Sequence, residues 1–426
     1  MDISIVCSKH LNRTKLSGIL KVNENTDNNM KRILAALAII LTSVGLFTST
    51  DCNAIPAFAR KYQISCQVCH SPSMPRLKAF GDEFAGNGFR LTEYESPRHF
   101  IQTGDEKLSL FRELPLAIRI DGFATYNFGN KESADFAAPF VLKILSGGEI
   151  SDKLSYYFYF LLNERGSIAG IEDAFIMYHD FLGSGINLYM GQFQVSDPLF
   201  KGELRYTLEP YRIYGSAPGN STADLKYDKG VLFEKDFSTG TGIVGEIVNG
   251  AGIGEAGDGY LFDKDKYKNF LLKINQSVGD NVSLGFFGYA GKESLDDTFG
   301  EFTSEVRMFG PDVSIDINEQ FILNLQYVKR TDSYVSRENS LSRMEDVATE
   351  GGFAEVIYSP KGDMSNWYLT GLFNFVESDY DALDYSSATL HFGYLLRRNM
   401  RVVTEYTHLL SGDTYGKVSA GVITAF

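Results

Sequence analysis

A chain of 426 residues that is 44% hydrophobic, with 41 glycines and a single tryptophan, has enough apolar material for a complete fold and is no low-complexity tail. Its 54 acidic side chains exceed 40 basic ones, for a formal charge of −14. That balance argues against nucleic acid as a partner and suits a well-solvated surface.

Residues 1–29 are polar and lack periodicity, so they are expected to be untranslated or unstructured. Residues 30–54 have the layout of a secretory signal peptide. Lys31-Arg32 precedes a largely apolar run, Ile33 to Phe47, and polar residues lead to Ala54, after which cleavage is expected. The run is short for a membrane-spanning helix. Cys52 follows Thr-Asp and not small apolar residues, which disfavours a lipid-anchored start. Cleavage would remove Cys7 and Cys52 and leave Cys66 and Cys69 as the only thiols.

Those two thiols stand in CQVCH, residues 66–70. In an exported protein, Cys-x-x-Cys-His has a specific use: the thiols add across the haem vinyl groups and the adjacent His supplies the proximal iron ligand. Three other readings compete, one of them a chance match to a pattern of only five residues. A redox disulfide would want a strand–helix context and has no need of His70. A zinc site would want two more Cys or His nearby, and none occurs before His99.

In SPSMPRLKAFGDEFAGNGF, Met74, Leu77, Phe80 and Phe84 recur at helical intervals, with Pro75 in a first turn and Asn87-Gly88 as a stop. One short amphipathic helix is predicted. Its apolar stripe is too small for a core and needs a large flat partner, which a porphyrin would provide. On a helix continuous with His70, Met74 would fall on the same face and could not reach the opposite side of the haem, unless the chain breaks near Pro72 and Pro75. His99, in SPRHF, is therefore the preferred sixth ligand.

From residue 115 the period becomes two. In LAIRIDGFATYNF, apolar Leu116, Ile118 and Ile120 alternate with Arg119 and Asp121. The pattern returns in KLSYYFYFLLN, NVSLGFFGYAG, QFILNLQYVK and SSATLHFGYLL. Each segment has the length of a tilted strand across an outer membrane, and the segmentation gives about 16 antiparallel strands. Short connections near 146–152, 181–185, 237–241, 278–281, 317–320, 360–365 and 397–400 alternate with others near 129–137, 164–170, 195–228, 250–267, 292–301, 330–350, 377–385 and 410–414, several of them long. Short periplasmic turns opposite longer outer loops mark a transmembrane barrel and not a sandwich. Phe426 ends an alternating strand, as in outer-membrane barrels, and Tyr156 to Tyr159 would partly form an interface girdle. His179, His391 and His408 stand alone, with His391 turned inward; no catalytic constellation is present. GQFQVSDPLFKGELRY, 191–206, opens the longest loop, a constriction or a surface contact with a plain structural role preferred.

The fold class is thus an all-β transmembrane barrel, residues 114–426, with a small N-terminal α-helical haem module, residues 55–113. PAFARKYQISCQVCHSPSMPRLKAFGDEFAGNGFRL, followed by LFRELPLAIRIDGF and the barrel pattern, resembles the monohaem cytochrome-porin fusions of the bacterial outer membrane, best known as the iron(II) oxidases of iron-oxidising bacteria. The resemblance implies one covalent haem c on Cys66 and Cys69 with His70 proximal. It further implies electron movement between extracellular iron and periplasmic carriers such as a soluble c-type cytochrome, with outer-membrane lipid as surroundings. It assigns no distal ligand. Because tunnelling decays exponentially and the apolar band of a barrel is about 25 Å tall, the haem would have to sit inside the lumen. The competing expectation is a passive porin with a structural or sensory haem and an open lumen.

Overall fold

The structure, a computed structural model, describes residues 57–91, 114–129, 132–164, 170–337, 342–412 and 415–426, all within one compact unit. The leader and His99 lie outside the described residues. The strands are β1 (Leu116–Phe128), β2 (Ser133–Ser151), β3 (Leu154–Glu164), β4 (Ile171–Tyr178), β5 (Asn187–Gln194), β6 (Tyr227–Asp236), β7 (Thr241–Val248), β8 (Asn269–Val278), β9 (Val282–Asp297), β10 (Gly300–Ile317), β11 (Phe321–Ser336), β12 (Arg343–Tyr358), β13 (Trp367–Ser378), β14 (Tyr385–Arg397), β15 (Met400–Leu409) and β16 (Gly416–Ala425). Each pairs with its sequence neighbours and β16 returns to β1, closing an antiparallel barrel of 16 strands among the described residues. The seam runs from Arg119↔Ala425 to Phe128↔Gly416, and Ile118 exchanges backbone hydrogen bonds of 2.7 and 2.9 Å with Phe426.

The period-two pattern explains the closure. In β14, Leu390, Phe392 and Tyr394 are exposed while Thr389 and His391 are buried. In β8, Phe270, Leu272 and Ile274 point out, and Asn269, Leu271 and Lys273 point in. The outer face of these strands is apolar while many polar residues face in, a pattern unlike that of a water-soluble protein. Such an exterior is stable against lipid, where a closed ladder also leaves no backbone group unpaired. Phe321, Tyr358, Trp367 and Phe392 form a chain of aromatic contacts beside the short turns, as an interfacial belt does.

One rim carries short connections, such as 152–153, 279–281, 318–320 and 398–399. At the other rim the loops predicted at 292–301 and 330–350 are instead mostly hairpin, because β9–β10 and β11–β12 stay paired out to Gly300↔Asp297 and Ser336↔Arg343. The apolar belt ends before the ladder does, since polar side chains pair as well in water. The asymmetry between the rims rests mainly on 195–226 and 249–268.

Residues 195–226, the β5–β6 connection, fold into the lumen and not onto the outer surface. Tyr211 stacks on Phe353 with centroids 3.9 Å apart, and Ile213 and Tyr214 pack with Val306, Leu372 and Val376. Glu405 accepts from the backbone N–H of Leu208 and Glu209 at 2.6 and 3.0 Å. Asn374 bonds the backbone of Arg212 and Pro210, and Glu293 accepts from Thr222 N–H at 2.9 Å. Wall residues beneath the loop, among them Phe287, Glu355, Tyr368 and His391, are fully buried.

Candidate functional site

Residues 57–91 fill the short-turn mouth with α1 (Ala57–Tyr62), a 3-10 turn over Cys66–Val68 and α2 (Ala79–Gly86). Ser65 caps the turn, and His70 N–H bonds Cys66 C=O at 2.9 Å. The chain then loops through Ser71–Pro75 without helix and is drawn back by Lys78 N–H to Cys69 C=O, 3.0 Å. The predicted helix from Met74 is therefore corrected: it starts at Ala79, after Lys78 in extended conformation, since Pro72 and Pro75 disfavour helical backbone at Ser71 and Met74, the residues that precede them. Its expected end holds, with Asn87 as C-cap and Gly88 at φ +67°. A Cβ at Gly88 would collide with Ser155 and His179, and one at Gly81 with the Cys69 carbonyl, so α2 lies directly on the motif.

The partners of this small helix are aromatic. Phe84 meets Phe58 and Tyr62 edge-on, Phe58 stacks on Phe89 at 4.8 Å, and Phe89 stacks on Tyr157 of β3 at 4.9 Å. Tyr157 and Tyr159 thus face the lumen, the inward parity of β3, so only part of the Tyr156 to Tyr159 cluster is left for a girdle. Polar contacts complete the seam. Tyr206 of the lumen loop donates to Ser71 C=O and Ser73 C=O at 2.7 and 3.0 Å. In the β12–β13 turn, Asp363 pairs with Lys78 at 2.7 Å and accepts from Ser71, while its carbonyl accepts from Gln67 at 3.1 Å. Asn187 donates to Gly86 C=O.

Between this segment and the wall lies a cavity of about 1340 Å³ counted out to its open mouth. Cys66, Cys69 and His70 line one side with Phe58, Leu77 and Phe84; Arg119, Lys143, Tyr157, Tyr159 and Arg401 line the other. The two cysteines are free thiols, and burial pushes both above the ordinary thiol pKa. Redox pairs sit in settings that do the reverse. His70 Nδ1 lies 3.0 Å from Arg76 C=O, an acceptor, so Nδ1 carries the proton and Nε2 the lone pair. Burial lowers its pKa to about 4, against the opposing pull of the Arg76 and Pro75 carbonyls, so the ring is neutral as an iron ligand must be. Among the described residues no group of three or more His, Cys, Asp or Glu is placed to hold a metal ion. The thiols and His70 thus do not converge as zinc ligands do, whereas haem needs thiols at its rim and imidazole at its centre. The donor set and apolar lining fit haem c.

The other histidines among the described residues make contacts within the barrel wall. His391 faces inward as predicted and bonds Glu405 at 2.9 Å; His179 bonds Ser155 at 2.7 Å; His408 lies beside Tyr406. Since no helix spans 70–78, Met74 is freed from the face of His70, and it lines the cavity with Met400. Sequence reasoning missed the wall residues of the site. Inward parity marks Arg119, Lys143 and Arg401, but nothing local distinguishes them from other lumen residues.

No family model matches the chain, and no curated protein does. Solved structures match the barrel. The anion-selective porin from Comamonas acidovorans has a TM-score of 0.53 at 10% identity, with 74% of this chain and 99% of that one covered. A loop L8 deletion mutant of OmpT, an outer membrane protein of Vibrio cholerae, gives 0.51 at 12%, with 74% and 99% covered. Salmonella typhi OmpF, in complex with daunomycin, gives 0.51 at 13%, with 74% and 98% covered. The fold is that of the 16-strand outer-membrane porins, and with its apolar belt it accords with the outer-membrane location and lipid surroundings expected from the sequence.

Proposed function

We propose that this porin-type barrel carries one covalent haem c on Cys66 and Cys69, with His70 as proximal ligand, and passes electrons between an extracellular donor or acceptor such as Fe(II) and a periplasmic carrier such as a soluble c-type cytochrome. The observation that carries this reading is the convergence of all three motif residues on one cavity whose far side is the inner wall of the barrel. When bound, haem supplies a one-electron iron centre. The chain does the rest. Cys66 and Cys69 tether the porphyrin edge, and the Arg76 carbonyl orients the His70 ring with Nε2 free. Phe58, Leu77 and Phe84 exclude water from one side. Tyr206 and Asp363 hold the motif loop against the lumen loop and the turn rim. In this reading residues 55–113 are the haem module and 114–426 the barrel, and His99 remains the proposed sixth ligand, with Met74 and Met400 as thioether competitors on the cavity wall.

Likeness to porins favours a second reading, a passive pore with a structural or sensory haem. Against it stands the lumen loop, which crosses the bore to the walls of β10 to β15. Purified, detergent-solubilised protein mixed with Fe(II) separates the two. Covalent haem, its reduction by Fe(II), and no swelling of protein-loaded liposomes are expected. Covalent haem that Fe(II) leaves unchanged, together with rapid swelling, would establish the passive pore. Absence of covalent haem would defeat both. Paired Cys66→Ala and Cys69→Ala substitutions should abolish haem attachment and leave a folded barrel.

A further inference from the structure

Three cations that line the cavity have carboxylate partners. Arg119 forms a two-pronged pair with Asp121, Lys143 reaches Glu203 at 2.7 Å, and Lys201 reaches Asp197 and Asp173 at 3.0 and 3.3 Å. Arg401 differs. It is 3% exposed, and its contacts are Ser73 Oγ at 3.4 Å and the face of Tyr206, 5.8 Å away. Its Nε is buried without a hydrogen-bond partner, and among the described residues it joins no ion pair.

A buried guanidinium with no anion is costly, and its planar fork matches a carboxylate better than any other partner. β15 places it there by strand parity, next to Met400 at the turn rim, where it meets the motif loop through Ser73. A porphyrin tethered at its vinyl edge by Cys66 and Cys69 carries its two propionate carboxylates on another edge, and such a porphyrin brings into the cavity the anion that Arg401 lacks.

We infer that Arg401 is the barrel's propionate-binding residue, pairing with the haem carboxylate across the cavity and so locking the N-terminal segment to the wall. This rests on the haem reading above. Arg401 is a positioning and tuning residue: removing its charge leaves a carboxylate uncompensated near the iron and favours the oxidised form.

The test uses the full membrane-inserted protein. In Arg401→Gln, covalent haem is retained and the oxidised form gains about tenfold, a fall of about 59 mV for one electron. Arg401→Lys keeps the charge without the fork and recovers part of the shift. Redox-difference infrared spectra with isotope-labelled haem propionates read the pairing itself. A guanidinium-paired carboxylate is expected in the unmodified protein and a solvated one in Arg401→Gln. Solvated labelled bands in the unmodified protein overturn the inference even if the variant fails to insert. So do a potential and bands unaltered in Arg401→Gln, the outcome if a carboxylate from residues 92–113 takes Arg401. In both cases the haem reading survives. Absence of covalent haem from the unmodified protein overturns that reading and this inference with it.

Discussion

The barrel wall and residues 57–91 reach their conformations by different routes. In the wall, β4 to β14 pair without a register shift, and each strand needs only its neighbours and a lipid-facing apolar stripe such as Phe270, Leu272 and Ile274. In residues 57–91, two short helices and a series of turns are held from outside: Tyr206 bonds two carbonyls, Asp363 bonds three side chains, and Tyr157 extends the Phe58–Phe84–Phe89 cluster. Repetition stabilises the wall, whereas a few unlike contacts stabilise the segment. Damage to the wall should therefore be global, and damage to the seam local.

The largest effect is expected in the wall. Leu272→Arg, near the middle of the lipid face of β8, should destabilise the whole barrel by about 2–4 kcal/mol, measured by denaturant titration of folding into bilayers. A loss confined to residues 57–91 would contradict the distinction. Next comes the lumen loop. Glu405→Ala strips acceptors from two backbone N–H groups and His391, costs about 2–3 kcal/mol, and should raise single-channel conductance as residues 195–226 loosen. Unchanged conductance would show that the loop does not depend on this carboxylate. Tyr206→Phe removes both hydrogen bonds to the motif loop, for about 1–2 kcal/mol, and should speed proteolysis within residues 57–91 while leaving barrel stability unaltered. The smallest effect belongs to Asp363→Asn, whose partly exposed pair with Lys78 contributes under about 1 kcal/mol and weakens with salt.

Asp363 also predicts a pH direction. Burial raises its pKa, but the bonds from Lys78 and Ser71 outweigh this and hold it below the ordinary value of 3.8. A carboxyl depressed in the folded state contributes fully above that value, and the contribution is lost as pH falls through the lower folded one. Docking of residues 57–91, followed by protease susceptibility, should thus weaken below pH 3.8 in the unmodified protein and less so in Asp363→Asn. Equal acid sensitivity in both would remove Asp363 from the docking contacts.

Much of the barrel was legible because its determinant is local. A period of two, read in Leu390, Phe392 and Tyr394 against His391, sets which face meets lipid, and a one-residue slip would turn every side chain of the slipped strand to the wrong face. The turn rim and the strand number followed from the same rule. Loop extents did not, because polar residues beyond the apolar belt, such as Asp296 opposite Glu301, still pair when their partner strand is near. CQVCH and the Asn87-Gly88 stop were equally plain, since each rests on adjacent residues. The helix start was misplaced where prolines override the spacing of Met74 and Leu77.

Sequence by itself determined the alternation, the closure it demands and a motif whose spacing suits a porphyrin edge. Only the tertiary structure decided that Tyr157 turns inward, that 195–226 crosses the bore, and that Arg401 faces the motif with no anion paired to it among the described residues. The reason is range. Periodicity and motif spacing act over a few residues, whereas Arg401 meets Ser73 only after sixteen strands have closed and brought β15 round to the segment that precedes β1.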